Sequence, residues 1–399
     1  MLNYQPNQDN EPIIVNAYRT PVGRAYGCLS GLSVIDLLVP LIKKLISGSE
    51  LAPIAVDEVF IGNVTGCNGN IARLAALSAG LPLEVPGVTI DRQCGSGLEA
   101  IIQAARFIQA GAGDCYIAGG VESVSTAPWR IEKPSSPKNL PQFYNRSRFS
   151  PEEIGDPEMG VAAENVAEKC AITRERQDHF ALRSHQRAVS SAINGVFNEE
   201  IVPLSVGNQS ISADECPRPS TSFEALSSLP SAFVLGGTVT AGNACPLNDG
   251  ASLVLIMSRK KAREYGYSTG LRFLDSASAG VDPNYLGLGP VASTKKLLSR
   301  QPSLQMSMIN VIEFNEAFAS QVLGSLDALG VDEHKVNRQG GAIALGHPYG
   351  ASGSILVTRL FSQLIRAPQH QADKQYAMAM LGIAGGLGLT SLFDIAETI

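Results

Sequence analysis

The sequence predicts an α/β protein made of two similar halves. Short apolar runs at Ile13–Val15, Val59–Ile61, Tyr116–Ala118, Leu253–Met257 and Met378–Leu381 alternate with longer helical patterns and glycine-rich turns, the order expected when strands and helices follow one another. An internal repeat supports this. Tyr116-Ile-Ala-Gly-Gly-Val and Leu381-Gly-Ile-Ala-Gly-Gly-Leu look alike, and upstream of each lies a glycine-rich turn opening a helix, Asp91-Arg-Gln-Cys-Gly-Ser-Gly-Leu and Gly346-His-Pro-Tyr-Gly-Ala-Ser-Gly-Ser. Further upstream, Val56-Asp-Glu-Val-Phe-Ile-Gly-Asn and Met308-Ile-Asn-Val-Ile-Glu-Phe-Asn share a strand-then-Asn ending.

Each element then follows in order. Residues 1–127 and 236–270 read as the first half and 271–399 as the second. Residues 128–235 break the pattern with Pro134, Pro137, Pro141, Pro151 and Pro157, among which stand Arg130, Lys133, Lys138, Arg146 and Arg148, so this stretch reads as an inserted subdomain. Within it a long helix is expected from an N-cap at Thr173 to a stop at Asn194-Gly195. Its stripe of Phe180, Ala181, Ser184, Ala188, Ser191 and Ala192 is a packing face.

Composition removes several function classes. With 399 residues, 44% hydrophobic and 17% charged, the chain is an ordinary globular one of two to three domain lengths. A net charge of −6 without a basic stripe argues against nucleic acid, which needs clustered cations. No apolar run approaches the ~20 residues of a membrane span. The polar start at Met1–Asn10 lacks a secretory pattern, which favours the cytoplasm. The seven cysteines, Cys28, Cys67, Cys94, Cys115, Cys170, Cys216 and Cys245, are odd in number and scattered, so neither disulfides nor a metal cluster is expected. No strand is followed by G-x-G-x-x-G, which disfavours a dinucleotide fold.

Three residues carry the candidate chemistry. Cys94 sits at a strand end just before Ser96-Gly-Leu-Glu99, a capping-box pattern opening a helix expected over Leu98–Ala110 and ended by Gly111. A thiol facing a helix N-terminus is expected to have a lowered pKa and to be nucleophilic; a buried structural cysteine is the plain alternative. Of five histidines, His179, His185, His334, His347 and His370, His347 stands out, because Pro348 stiffens its backbone and flanking glycines let a ligand approach. Asn315 follows an apolar strand and opens a helical pattern, so it reads either as an N-cap or as an amide that holds a water or donates to a carbonyl oxygen.

Taken in order, Tyr18-Arg-Thr-Pro-Val-Gly, Asp91-Arg-Gln-Cys-Gly-Ser-Gly, Ala118-Gly-Gly-Val-Glu-Ser, Met159-Gly-Val-Ala-Ala-Glu-Asn-Val-Ala, Thr238-Val-Thr-Ala-Gly-Asn, Asn315-Glu-Ala-Phe-Ala and Gly340-Gly-Ala-Ile-Ala-Leu-Gly-His-Pro-Tyr-Gly-Ala-Ser-Gly resemble the thiolase family from about Pro12 to Ile395. The resemblance implies two βαβαβαββ repeats in a five-layer αβαβα arrangement, a coenzyme A-binding loop domain inserted in the first, and a dimer pairing the two reactive-cysteine strands, with dimer and tetramer both open. It implies that Cys94 takes an acyl group from acyl-CoA as a thioester and that His347 accepts the thiol proton. One oxyanion site would combine His347 with a water held by Asn315, the other the backbone N–H groups of Cys94 and Ala384. Arg218 would lie near the adenine, and Met159, Cys245 and Phe318 would line the acyl and pantetheine channel. No cofactor is implied; coenzyme A enters as substrate and product.

Two departures matter. Where thiolases end in a second reactive cysteine within C-x-G-G-G-x-G, this chain has Gly382 in Gly382-Ile-Ala-Gly-Gly-Leu-Gly. A positioned acid/base contributes roughly 10²–10⁴ in rate, so ordinary thiolysis should be impaired or specialised. Cys245 stands where the family often has serine, which raises relocation of the base to Cys245 as an alternative. The leading expectation is a thiolase-type acyl-CoA C-acyltransferase acting on 3-oxoacyl-CoA. A decarboxylative condensing enzyme or acyl-CoA hydrolase using Cys-His-Asn, and a non-catalytic acyl-CoA-binding protein, remain open.

Overall fold

The computed structural model describes residues 8–66, 69–144, 146–366, 376–397 and 399. Cys67 and His370 lie outside them. In chain order the elements that position the site are β1 (Pro12–Arg19), α1 (Val34–Gly48), β2 (Glu58–Gly62), α2 (Ile71–Ser78), β3 (Gly87–Ile90), α3 (Ser96–Gln109), β4 (Cys115–Ser123), α4 (Met159–Lys169), α5 (Arg174–Ile193), β5 (Asn248–Ser258), β6 (Thr269–Gly280), α6 (Gly289–Arg300), β7 (Ile309–Phe314), α7 (Ala319–Leu329), α8 (Tyr349–Phe361), β8 (Tyr376–Ile383) and β9 (Leu387–Glu397). Each apolar run named above falls inside a strand.

The strands run β7-β8-β9-β6-β1-β5-β4-β2-β3 in one hydrogen-bonded path. The two halves meet at β1 and β6 through only Ile13↔Arg272 and Ile14↔Leu271. Neighbouring residues on a strand face opposite ways, and the core divides accordingly. Ile13, Leu253 and Leu255 pack with Leu37, Leu41 and Leu45 of α1 and Ala75 of α2. Ile14, Val254 and Ile256 turn to the other side, where Leu98, Ile101 and Ala105 of α3 and Val357 and Leu360 of α8 also meet Phe273, Ala379, Leu381 and Phe393 of the second half. Beyond that sheet, Met378, Met380 and Leu392 pack on Leu297 of α6 and Val322, Leu323 and Leu326 of α7. Helices α3 and α8, the two that follow the glycine-rich turns, are therefore a shared middle layer, and five layers result.

Close approach explains the Gly-Gly pair in β4. A β-carbon on Gly120 would stand 1.8 Å from the Gly350 carbonyl oxygen, so only glycine lets the start of α8 lie against the strand. Within residues 128–235, α5 begins as expected: Thr173 accepts from the Arg176 N–H and Asn194 caps its end, with Gly195 at φ +70°. Ala192 alone of the expected stripe is exposed.

Two local expectations are corrected. The capping box at Ser96 does not form: α3 starts at Ser96 itself behind Gly95, and the Ser96 hydroxyl turns back to accept from the Arg92 N–H at 2.8 Å and donate to the Gln93 carbonyl at 2.6 Å. Glu99 pairs instead with Arg92 at 3.3 Å. Asn315 is not an N-cap either. Helix α7 starts four residues later behind Phe318, and the Asn315 N–H donates to the Met380 carbonyl, prolonging the strand pairing and freeing the side chain for other work.

Candidate active site

Cys94 lies in the tight turn between β3 and α3. Gln93, immediately before it, has φ +48°, a left-handed conformation that a non-glycine residue holds only when its surroundings insist. They do so through Asp91, which accepts from the Gln93 N–H at 2.7 Å, and through the Ser96 brace. The thiol itself is 7% exposed. Burial pushes its pKa up to about 11, against the backbone N–H groups of Ala384 and Cys94, which stabilise thiolate; Glu122 and Asp91 raise it further. The lowered pKa expected from the helix N-terminus is thus overturned, because desolvation outweighs the two amides. Both amides nevertheless converge on the sulfur. Ala384 reaches it from the turn joining β8 to β9, where Gly385 and Gly386 take φ +80° and +75°.

His347 and Asn315 lie side by side. Asn315 Nδ2 lies 3.4 Å from His347 Nε2. On the far edge of the ring, Nδ1 is 2.5 Å from Ser352 Oγ, whose own hydroxyl donates to the Pro348 carbonyl at 3.0 Å. With that hydroxyl committed, Ser352 accepts from Nδ1–H, so Nε2 carries the lone pair and faces the asparagine amide. The backbone N–H of His347 donates to Asn248 Oδ1 at 2.8 Å. Burial lowers the imidazole pKa to about 4, so the ring is neutral and basic at Nε2. Tyr349 packs edge-on against it at 5.2 Å and shares the wall of one cleft with Cys94. Among the described residues no hydrogen bond joins Cys94 to His347 directly.

A cleft of about 770 Å³ opens above Cys94, lined also by Gln93, Ala384, Tyr349, Leu247 and Met159, and further out by Trp129, Phe143 and Tyr144. Met159, Cys245 and Phe318 pack in one apolar cluster with Ala163, Val239, Ala244 and Ala317. Burial and the charge of Cys94 drive the Cys245 thiol well above the ordinary range, so it keeps its proton. Arg218 is exposed, is not part of this cleft, and donates its backbone N–H to His185 at 3.2 Å.

The comparisons with known proteins decide the family. Residues 12–260 match the thiolase N-terminal domain and residues 269–395 the thiolase C-terminal domain. The chain belongs to the thiolase family. Staphylococcus epidermidis and Staphylococcus aureus each have a relative named "Putative acetyl-CoA C-acetyltransferase VraB". The first is 46% identical over 386 residues, covering 96% of this chain and 98% of the relative; the second is 46% identical over 389 residues, covering 96% and 99%. The crystal structure of the Bacillus anthracis acetyl-CoA acetyltransferase superposes with a TM-score of 0.90 at 34% identity, covering 97% of this chain and 99% of that one. This thiolase is accordingly an acyltransferase.

Three further residues at the site of this thiolase take roles that the sequence does not single out. Ser352 is ordinary in a glycine-rich stretch, and Asn248 is far from His347 in sequence. Glu122, fully buried, accepts from the N–H groups of Val64, Thr65 and Gly350, the Asn63 amide and the Thr65 hydroxyl at 2.5–3.1 Å. It ties two cleft-lining residues to the helix that follows His347. Gly382 lies buried on β8, and a β-carbon there would point at Gln321 of α7. Among the described residues, no cluster of three or more His, Cys, Asp or Glu side chains is placed to hold a metal. No helix among them is long and apolar enough to cross a membrane.

Proposed function

We propose that this protein takes an acyl group from acyl-CoA onto Cys94, in the manner of an acetyl-CoA C-acetyltransferase, and passes it on from there. The observation that carries this reading is that Cys94 and Ala384 line the same cleft, with the backbone N–H groups of Ala384 and Cys94 near enough to the sulfur to favour thiolate. As the thiol attacks the thioester carbonyl, its proton passes to His347 Nε2, the new S–C bond forms, and negative charge develops on the carbonyl oxygen. Preorganised amides at that place stabilise the charge without reorganisation. Collapse expels the coenzyme A sulfur, which takes the proton back from His347. Asn315, beside His347 Nε2, orients a water or the second substrate. No proton leaves carbon in this half-reaction, so it does not need a residue at 382.

The second half differs. Carbon–carbon bond formation from acetyl-CoA requires a base for the α-proton, and at 382 this chain has glycine. Cys245, whose thiol keeps its proton, is a poor replacement. This favours, as a second reading, condensation with a carbanion formed by loss of carbon dioxide, or hydrolysis of the acyl-enzyme. The two readings separate by assay: acetoacetyl-CoA thiolysis with free coenzyme A supports the first, and malonyl-CoA-dependent condensation or plain acyl-CoA hydrolysis the second. We place the protein in the cytoplasm as a homodimer or tetramer of this chain, with Arg218 near the nucleotide of coenzyme A.

A further inference from the structure

We propose that the acyl group handled by this enzyme is bulky, uncharged and apolar, of about the size of a hexanoyl or phenylacetyl unit, and that Trp129, Phe143 and Tyr144 form the wall on which it lies. The inference rests on the reading of Cys94 as the acyl-carrying thiol and adds the substrate class to it.

The cleft above Cys94 measures about 770 Å³, whereas an acetyl unit brings one methyl group to bury. Its outer wall is aromatic. Trp129 is 84% and Phe143 66% exposed, their rings meeting edge to face at 5.8 Å, and Tyr144 continues the surface. So much exposed aromatic area at the mouth of a site marks a place that something apolar covers. A short two-stranded pairing of Ile131–Glu132 with Gln142–Phe143 presents the wall, and the Tyr144 N–H donates to the Arg130 carbonyl at 3.2 Å.

Both guanidinium groups on this side of the cleft are held by the protein itself. Arg146 is held by Asp156 and Glu158, each at 2.9 Å. Arg130 donates to the Val64 carbonyl and the Ser147 hydroxyl, both at 3.1 Å. Arg146 is thus neutralised by its two carboxylates, and both terminal nitrogens of Arg130 are engaged by the protein's own oxygens, so the aromatic rings are the larger contact offered to an acyl group. The amide-bearing pantetheine arm is poorly matched by three aromatic rings, whereas Met159 offers it a second wall beside the Phe318 and Cys245 cluster. An apolar acyl chain is the part of the substrate that suits the aromatic side.

Single-turnover release of coenzyme A from the full chain, with acetyl-CoA and hexanoyl-CoA side by side, tests this. Each additional methylene buried favours binding by about fourfold, so partial burial of four predicts acylation efficiency at least about tenfold higher for hexanoyl-CoA. Trp129→Ala and Phe143→Ala, both on exposed positions, should each lower the hexanoyl-to-acetyl ratio severalfold, and Trp129→Phe should restore most of it. An equal or higher efficiency with acetyl-CoA overturns the proposal. So do variants that slow both substrates equally, which would assign the wall to the coenzyme A arm. A change of sedimentation with the ratio unmoved also overturns it and assigns the wall to a contact between copies. Absence of release from either substrate removes the acyl-thiol reading itself.

Discussion

Gln321 sets its amide nitrogen 2.8 Å from the place a β-carbon on Gly382 would take. That nitrogen is buried and has no hydrogen-bond partner, so nothing anchors it where it stands. The space beside Gly382 is therefore edged by an amide nitrogen without a partner and not by a hydrogen-bonded network. Gly382→Cys needs only the far end of a flexible side chain to move, and Gly382 has no positive φ to strain. We expect a folded variant whose acetoacetyl-CoA thiolysis rises at least tenfold, because a restored acid/base is worth roughly 10²–10⁴. A steady-state assay of the variant beside the parent protein checks this.

Ser352 sets the tautomer of His347. Ser352→Ala leaves Nδ1–H without its acceptor and lets the ring turn its proton toward the site. Acylation of Cys94 by acetyl-CoA should then slow about 10- to 100-fold, part of the roughly 10²–10⁴ that a positioned base supplies. Stopped-flow release of coenzyme A, compared at equal saturation, measures it.

The pH dependence follows from the two buried imidazoles. His347 and His185 both titrate near 4 in the folded chain, against 6.5 as the ordinary value, chiefly because burial penalises the charged form. Between those values the unfolded chain binds more protons, so stability is fully present above about pH 6.5 and falls as the pH drops toward 4. The loss is roughly 3 kcal/mol per imidazole. Denaturant midpoints from pH 7.5 to 4.5 should trace that decline. In the other direction, a thiol pushed up to about 11 stays protonated at neutral pH, so alkylation of Cys94 should climb about tenfold per pH unit well beyond pH 8.5 rather than level off.

Glu122→Gln tests the clamp beside the site. The carboxylate receives five donors, and an amide would turn an NH₂ toward some of them. A loss of about 2–4 kcal/mol is expected, the range for breaking a buried charged hydrogen-bond set. Removing the negative charge should also lower the Cys94 pKa, visible as faster alkylation at a given pH. A purely structural role would shift melting alone.

The strands, the repeat and the long inserted helix were legible because apolar spacing and terminal residues such as Thr173 and Gly195 act locally. The meeting of Asn315 with His347 was legible only through the resemblance, since they come from opposite ends of a buried sheet and helix. What stayed hidden was set by packing. Cys94 sits at a helix N-terminus as expected, yet the depth of its burial reverses the pKa shift, and no sequence pattern reports depth. Ser96 and Asn315 carry residue types that cap helices well, but the turn at Arg92 takes up the Ser96 hydroxyl, and the strand pairing of Asn315 with Met380 puts the start of α7 four residues further on. Glu122 reaches Gly350 because the glycines at 120 and 350 let α8 lie on β4, Asn248 meets His347 across the fold, and Ser352 meets it through a rotamer at the start of α8.

Cys94 as the acyl carrier is tested by incubating the protein with acetyl-CoA, followed by rapid quenching and mass spectrometry of the peptides. One acetyl adduct is predicted, on the peptide carrying Cys94, lost in Cys94→Ser and released by hydroxylamine as a thioester should be. An unmodified Cys94, or an adduct on Cys245 with Cys94 free, would contradict that role.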